Sequence, residues 1–301
     1  MDLSVKIGNV IFQNPVTVAS GTFGMDEDMW DIKSLRKLGA FVPKTITLHA
    51  QEGNPPPRIH ETKAGMLNAI GIENAGVDDF IKAKLPQCKK IGIPIIVSIT
   101  GKDDEEFETL ALRLHQQKGV AAIELNLSCP NLGQETLIAQ DSEATKRVVA
   151  RVKAISSVPV IAKLSPNVTD IAGIARDAES AGADALSLIN TFSAMAIDIE
   201  KQKPVLGNVT GGLSGPAIKP IALYMVYRAA QKVNIPIIAM GGIFTAEDAV
   251  EFLMAGASMV AVGTANFIDP QTSLEVLRGI KDFMKRKKIE NIEKLKGSLK
   301  V

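Results

Sequence analysis

At 301 residues the chain is well beyond a minimal domain, yet a (β/α)8 barrel absorbs this length as one folding unit, so residues 1–301 are expected to form a single domain. A composition 46% hydrophobic and 22% charged suits a globular protein with a large core, and 34 basic against 33 acidic residues leave a net charge of +1. No domain-wide basic field exists to hold a nucleic acid. The start, MDLSVKIGNVIFQNP, lacks the basic and long apolar stretches of a secretory signal, and nothing downstream reaches the ~18 apolar residues of a membrane span. A cytoplasmic location is expected. Cys88 and Cys129 are too few for a disulfide framework or for an iron–sulfur cluster, so any cluster would belong to another chain.

In chain order, Val5 to Ile7 and Val10 to Phe12 flank the turn-prone Gly8-Asn9 and predict a small hairpin closing the bottom of the barrel. Eight short apolar runs come next, with room for helices between them: Val16 to Ser20, Phe41 to Leu48, Ile93 to Thr100, Ala121 to Cys129, Val158 to Pro166, Ala183 to Thr191, Ile235 to Ile243 and Met259 to Ala265. Near-continuous apolar runs suit parallel strands buried on both faces, and eight of them predict a closed barrel. Phe107, Leu110, Ala111 and Leu114 mark one helix, and Ile171, Ile174, Ala175 and Ala178 mark another. Thr245 and Asp248 predict a capping box opening a helix through Val250 and Leu253. Glycine- and proline-rich stretches from Gly53 to Asn74 and from Gly207 to Pro220 read as long active-site loops. The lysine-rich end, Lys281 to Lys300, reads as a solvated helical face.

Side chains at the C-terminal strand ends converge on a barrel's top face, and the chemistry-bearing residues fall there. Lys44 lies in the second run, Asn126 and Cys129 end the fourth, Lys163 sits in the fifth, and Asn190 and Thr191 end the sixth. Two lysines in apolar strands need an anion or a polar ligand, because burying an unpaired ammonium is very costly. Gly241 and Gly242 in Met-Gly-Gly-Ile, and Gly263-Thr264, allow a backbone to approach a phosphate, as either a nucleotide or a sugar phosphate would present. A thiol at a strand end can act as a base if its site favours thiolate, which singles out Cys129. Cys88, in a lysine-containing helix after Pro86, is expected to be an inert core residue, and His49, His60 and His115 lack a metal-ligand spacing. No Gly-x-Gly-x-x-Gly follows a strand and no phosphate-loop sequence is present, so a Rossmann-type NAD site is not supported.

An ordered series of runs covering nearly the whole chain resembles the family 1 dihydroorotate dehydrogenases. It comprises Ala19 to Gly21, Lys44-Thr45, Gly53 to Arg58, Asn68 to Gly71, Asn126 to Asn131, Lys163 to Asn167, Ile189 to Thr191, Thr210 to Pro216, Met240 to Ile243 and Gly263 to Pro270. The resemblance implies FMN across the barrel mouth, held by Ala19, Ser20, Gly21, Lys44, Thr45, Asn126, Lys163, Ile189, Gly215, Gly241, Gly242, Gly263 and Thr264. It implies substrate against Lys44, Asn68, Ile70, Gly71, Asn126, Asn131, Asn190 and Thr191. Cys129 would take the proton from C5 of dihydroorotate while C6 delivers hydride to the flavin.

The serine base and N-terminal extension of type 2 enzymes are not found. Asn-Ala-Ile-Gly and Thr-Gly-Gly-Leu-Ser-Gly-Pro look more like type 1B than type 1A. Type 1B implies a homodimer of barrels and an electron-transfer subunit carrying FAD and a 2Fe-2S cluster, together a heterotetramer that reduces NAD. The chain departs from the family pattern at Glu73, where glutamine is expected, and at Ser98, where asparagine is common. Competing readings are a fumarate-linked type 1A enzyme, a tRNA dihydrouridine synthase, a non-redox sugar-phosphate enzyme and a barrel kept only as a binding subunit. The near-neutral charge argues against an RNA substrate.

Overall fold

The computed structural model describes residues 1–23, 31–127 and 138–300. Among these residues there are fifteen strands in chain order. The first eight are β1 (Val5–Ile7), β2 (Val10–Phe12), β3 (Val16–Val18), β4 (Ile59–Thr62), β5 (Gly65–Asn68), β6 (Ile95–Ile99), β7 (Val120–Asn126) and β8 (Val160–Lys163). The rest are β9 (Ala185–Leu188), β10 (Phe192–Ala194), β11 (Ile197–Asp198), β12 (Lys203–Pro204), β13 (Gly211–Ser214), β14 (Ile237–Met240) and β15 (Met259–Val262).

Seven of them form one parallel sheet in the order β3-β15-β14-β9-β8-β7-β6. Every residue of β6, β8, β9, β14 and β15 is buried, as strands covered on both faces require. The gap between β6 and β3 is filled by residues 39–46, which complete the (β/α)8 barrel. The Gly39 amide donates to Val16 O at 2.8 Å on one side, and Phe41 and Ile46 bridge in parallel to Ile95 and Ile99 on the other. The expected strand from Phe41 to Leu48 is therefore not continuous. Five steps of chain here face four on β6, which leaves one residue unpaired, and Pro43 has no N–H to give a ladder.

The expected hairpin is present, with Ile7 and Phe12 fully buried. A side chain at Gly8 (φ +56°) would meet Pro159 at 2.8 Å, just before β8, so the hairpin lies against the N-terminal end of the barrel. Helices Asp104–Leu114, Ser142–Ile155, Ile171–Ser180, Lys219–Ala230, Ala246–Met254 and Thr272–Arg286 flank the sheet. Asp103, Asp141, Asp170 and Thr245 each accept an amide hydrogen bond at a helix start, which fixes where strand gives way to helix. The capping box is complete: Asp248 N donates to Thr245 Oγ1 at 3.2 Å, and Thr245 N to Asp248 Oδ2 at 2.9 Å. The lysine-rich end is α-helical only to Arg286; Lys288 turns the chain at φ +56°, a single 3-10 turn follows at Ile292–Lys294, and the buried Ile292 and Leu295 pin the C-terminal segment to the core.

The two stretches expected as loops are partly regular. They supply β4, β5 and β13, which with β10 form an antiparallel sheet in the order β10-β13-β5-β4. Its central pairing joins Gly212 to Asn68 and Ser214 to Met66. Gly212 and Gly211 permit that approach, since an added side chain would collide with Thr191 Oγ1 at the first and meet Asn68 O at 2.6 Å at the second.

Candidate active site

One cavity of about 370 Å3 lies between the C-terminal ends of the barrel strands and the antiparallel sheet. Ala19, Ser20 and Gly21 reach it after β3, Lys44 and Thr45 from the irregular segment 39–46, Asn126 from β7 and Lys163 from β8. Ile189, Asn190 and Thr191 follow β9, Gly241 and Gly242 follow β14, and Gly263 and Thr264 follow β15. Asn68, Ile70, Gly71 and Gly215 come from the segments above the barrel. Every expected site residue that is described lines this one cavity; Cys129 and Asn131 lie outside the described residues. Cys88 is buried in the core.

The floor is a chain of hydroxyls and charges inside the barrel. Ser98 and Thr45 share a hydrogen bond of 3.0 Å between their hydroxyls, and Thr45 Oγ1 donates to Ser20 Oγ at 3.3 Å. Lys163, only 4% exposed, donates to Ser20 Oγ at 3.4 Å, and its Nζ lies 3.8 Å from Glu124 Oε1. Ser187 donates to Glu124 Oε2 at 2.8 Å. Strand register assembles the group: Lys163 pairs with Asn126 on one side and Ser187 on the other, while Glu124 pairs with Ser98. Ser20, Thr45 and Lys163 are expected here from their sequence motifs, whereas Glu124 is not. A signal for it was available, since a carboxylate in the otherwise apolar Ala-Ala-Ile-Glu-Leu raises the same burial problem as the lysine.

On the wall, Asn190 Nδ2 donates to Asn126 Oδ1 at 3.2 Å, and Thr100 Oγ1 donates to Asn126 O at 3.0 Å. Asn68 Nδ2 donates to Gly212 O at 3.3 Å, and Asn167 bridges Thr191 O and the Ser193 amide. Beyond the strands, Gly241 and Gly242 sit at φ +124° and +74°, where a side chain is strained, and Thr264 Oγ1 donates to Ser214 Oγ at 2.8 Å. Among the described residues the amides of Gly242, Ile243, Gly263 and Thr264 make no hydrogen bond within the chain, a donor set that suits a phosphate. A buried cation, unpaired amides and apolar Ile189, Met240 and Ile218 lining one cavity fit a flat phosphorylated ligand. The two departures are accommodated: Glu73 pairs with Arg58 at 2.6 Å, and Ser98 joins the hydroxyl chain.

The dihydroorotate dehydrogenase family model matches residues 2–284. The chain is 48% identical over 301 residues to the dihydroorotate dehydrogenase B (NAD(+)), catalytic subunit, of Geotalea daltonii, covering 100% of this chain and 99% of that protein. It is 49% identical over 299 residues to the protein of that name from Desulforamulus reducens, with 99% and 98% covered. The likeness to the one from Bacteroides thetaiotaomicron is 46% over 301 residues, with 100% and 99% covered. Among solved structures, DHODH from Eimeria tenella in complex with ferulenol superposes with a TM-score of 0.81 at 23% identity, covering 98% of this chain and 88% of that one; this speaks to the fold.

Proposed function

We propose that this chain, which belongs to the dihydroorotate dehydrogenase family, is an NAD-linked catalytic subunit that oxidises (S)-dihydroorotate to orotate in pyrimidine biosynthesis. The observation that carries the reading is the convergence of Lys44, Asn126, Lys163 and Asn190 with the Gly241-Gly242 and Gly263-Thr264 backbones on one cavity. In this reading residues 1–301 are one FMN-binding barrel domain working in the cytoplasm. No helix among the described residues is long and apolar enough to cross a membrane.

FMN, when bound, supplies the two-electron acceptor for the hydride that leaves C6 of the substrate. Ala19, Ser20, Gly21, Lys44, Thr45, Asn126, Ile189, Gly215, Gly241, Gly242, Gly263 and Thr264 would hold it, and the Lys163 ammonium would offset negative charge on the reduced ring. Asn68, Asn126, Asn131, Asn190 and Thr191 match the donors and acceptors of a planar cyclic diamide, Lys44 pairs with its carboxylate, and Ile70 and Gly71 contribute backbone groups. Cys129, three residues beyond Asn126, takes the C5 proton. The sheet β10-β13-β5-β4 closes over the mouth and keeps water from the reacting atoms.

The relatives are named catalytic subunits, which supports a second subunit for this chain as well. FAD and a 2Fe-2S cluster belong to that partner, which docks on a homodimer of barrels to give the heterotetramer. The test is anaerobic: purified chain loaded with FMN is mixed with dihydroorotate. Rapid loss of the oxidised-flavin absorbance with orotate as product is expected, and an unbleached flavin would refute the activity.

A further inference from the structure

We infer that Glu124 is a positioning residue that holds the Lys163 ammonium at the floor of the cavity and through it sets the reduction potential of the flavin. The inference rests on the FMN reading above.

Glu124 is 3% exposed, in the interior of the barrel, and no part of the proposed chemistry uses it. Its Oε2 accepts from Ser187, whereas Oε1 is buried without a hydrogen-bond partner among the described residues. A buried carboxylate so poorly solvated is expensive unless a cation compensates it, and Lys163 Nζ at 3.8 Å from Oε1 is that cation. A pair serving stability alone would close to about 2.7–2.9 Å, where charge-assisted hydrogen bonds are strongest. This one is held open. Ser187 anchors the carboxylate from the side, and Lys163 gives a single hydrogen bond of 3.4 Å among the described residues, to Ser20, out of the three N–H groups an ammonium carries. The remaining donors stay available to the cavity that Lys163 lines, while the carboxylate beneath offsets part of the positive charge. Since reduction adds negative charge to the ligand in that cavity, the compensated lysine stabilises the reduced form less than a lone ammonium would.

The holoprotein carrying FMN is titrated spectroscopically against reference dyes, with melting temperature and flavin occupancy recorded alongside. Glu124→Gln, which keeps the shape and removes the charge, should raise the ratio of reduced to oxidised flavin at fixed potential by about tenfold, ~30 mV for a two-electron couple. Ser187→Ala, which removes only the anchoring hydrogen bond and lets the carboxylate close on Lys163, should shift the ratio the other way. A merely structural role would lower the melting temperature and leave the potential in place. Glu124→Gln with FMN bound and the potential unchanged or lowered overturns the inference; if that variant does not fold, an unaltered potential in Ser187→Ala does so. A parent protein that takes up no FMN overturns the site reading itself, and the inference with it.

Discussion

Asn190 reaches over β8 to Asn126, its Nδ2 donating to Asn126 Oδ1 at 3.2 Å while its own Oδ1 accepts from the Thr191 amide at 2.8 Å. The ends of β7 and β9 are thereby tied at the mouth, and both amides are held in one orientation on the wall proposed to face substrate. Asn190→Ala should raise KM for dihydroorotate about tenfold, the cost of leaving a polar partner unsatisfied, with FMN still bound. Steady-state kinetics beside a flavin spectrum checks this; an unchanged KM removes Asn190 from the substrate wall.

Cys129→Ala should slow the reductive half-reaction by roughly 10²–10⁴-fold, the usual worth of a general base. Stopped-flow bleaching of the flavin by dihydroorotate is the measurement. Bleaching at the parent rate would assign the proton to another group.

Lys163→Ala should weaken FMN retention or lower the flavin's potential, because a methyl cannot stabilise charge developing on the ring. Equilibrium dialysis and a redox titration read the two outcomes separately. Parent values in both would place the lysine outside the flavin's reach.

The Asp248 carboxyl is pushed up by burial, but the Lys219 ammonium at 2.5 Å and the amides of Phe244 and Thr245 outweigh this and hold it below the ordinary carboxylate range. A depressed folded value gives stability that is complete above the unfolded value of about 4 and is lost as pH falls through the folded one. Asp248→Asn should therefore cost about 1 kcal/mol at pH 7, through the capping box and the ion pair, and less near pH 3. Denaturant unfolding at the two pH values tests the difference; equal costs would show that the charge plays no part.

Electron delivery to NAD should require the second subunit, because the chain offers no dinucleotide fingerprint and has only two cysteines. Orotate production is measured with NAD, fumarate and quinone, for the chain alone and with its partner. Efficient NAD reduction by the lone chain, or fumarate turnover matching its best rate with any acceptor, would overturn the NAD-linked assignment while leaving the flavin barrel intact.

Local chemistry made much of this molecule legible in its sequence. Apolar runs marked seven of the barrel strands, Gly8-Asn9 the hairpin, and Thr245 with Asp248 a helix start, since periodicity and capping depend on residues only a few positions apart. Strand-end Lys44, Asn126, Lys163 and Asn190 could be assigned to one mouth because parallel strands deliver their C-terminal ends to the same face. Tertiary structure decided what depends on pairing between distant segments. Residues 59–68 find 192–194 and 211–214 to build a sheet where irregular loops were expected, and the extra residue between Phe41 and Ile46 emerges only against Ile95 and Ile99. Glu124, Lys163 and Ser187 become one polar group through the register of three adjacent strands. A single chain records which face each residue prefers, but which partner that face meets is set by strand order and stagger, which long-range packing fixes.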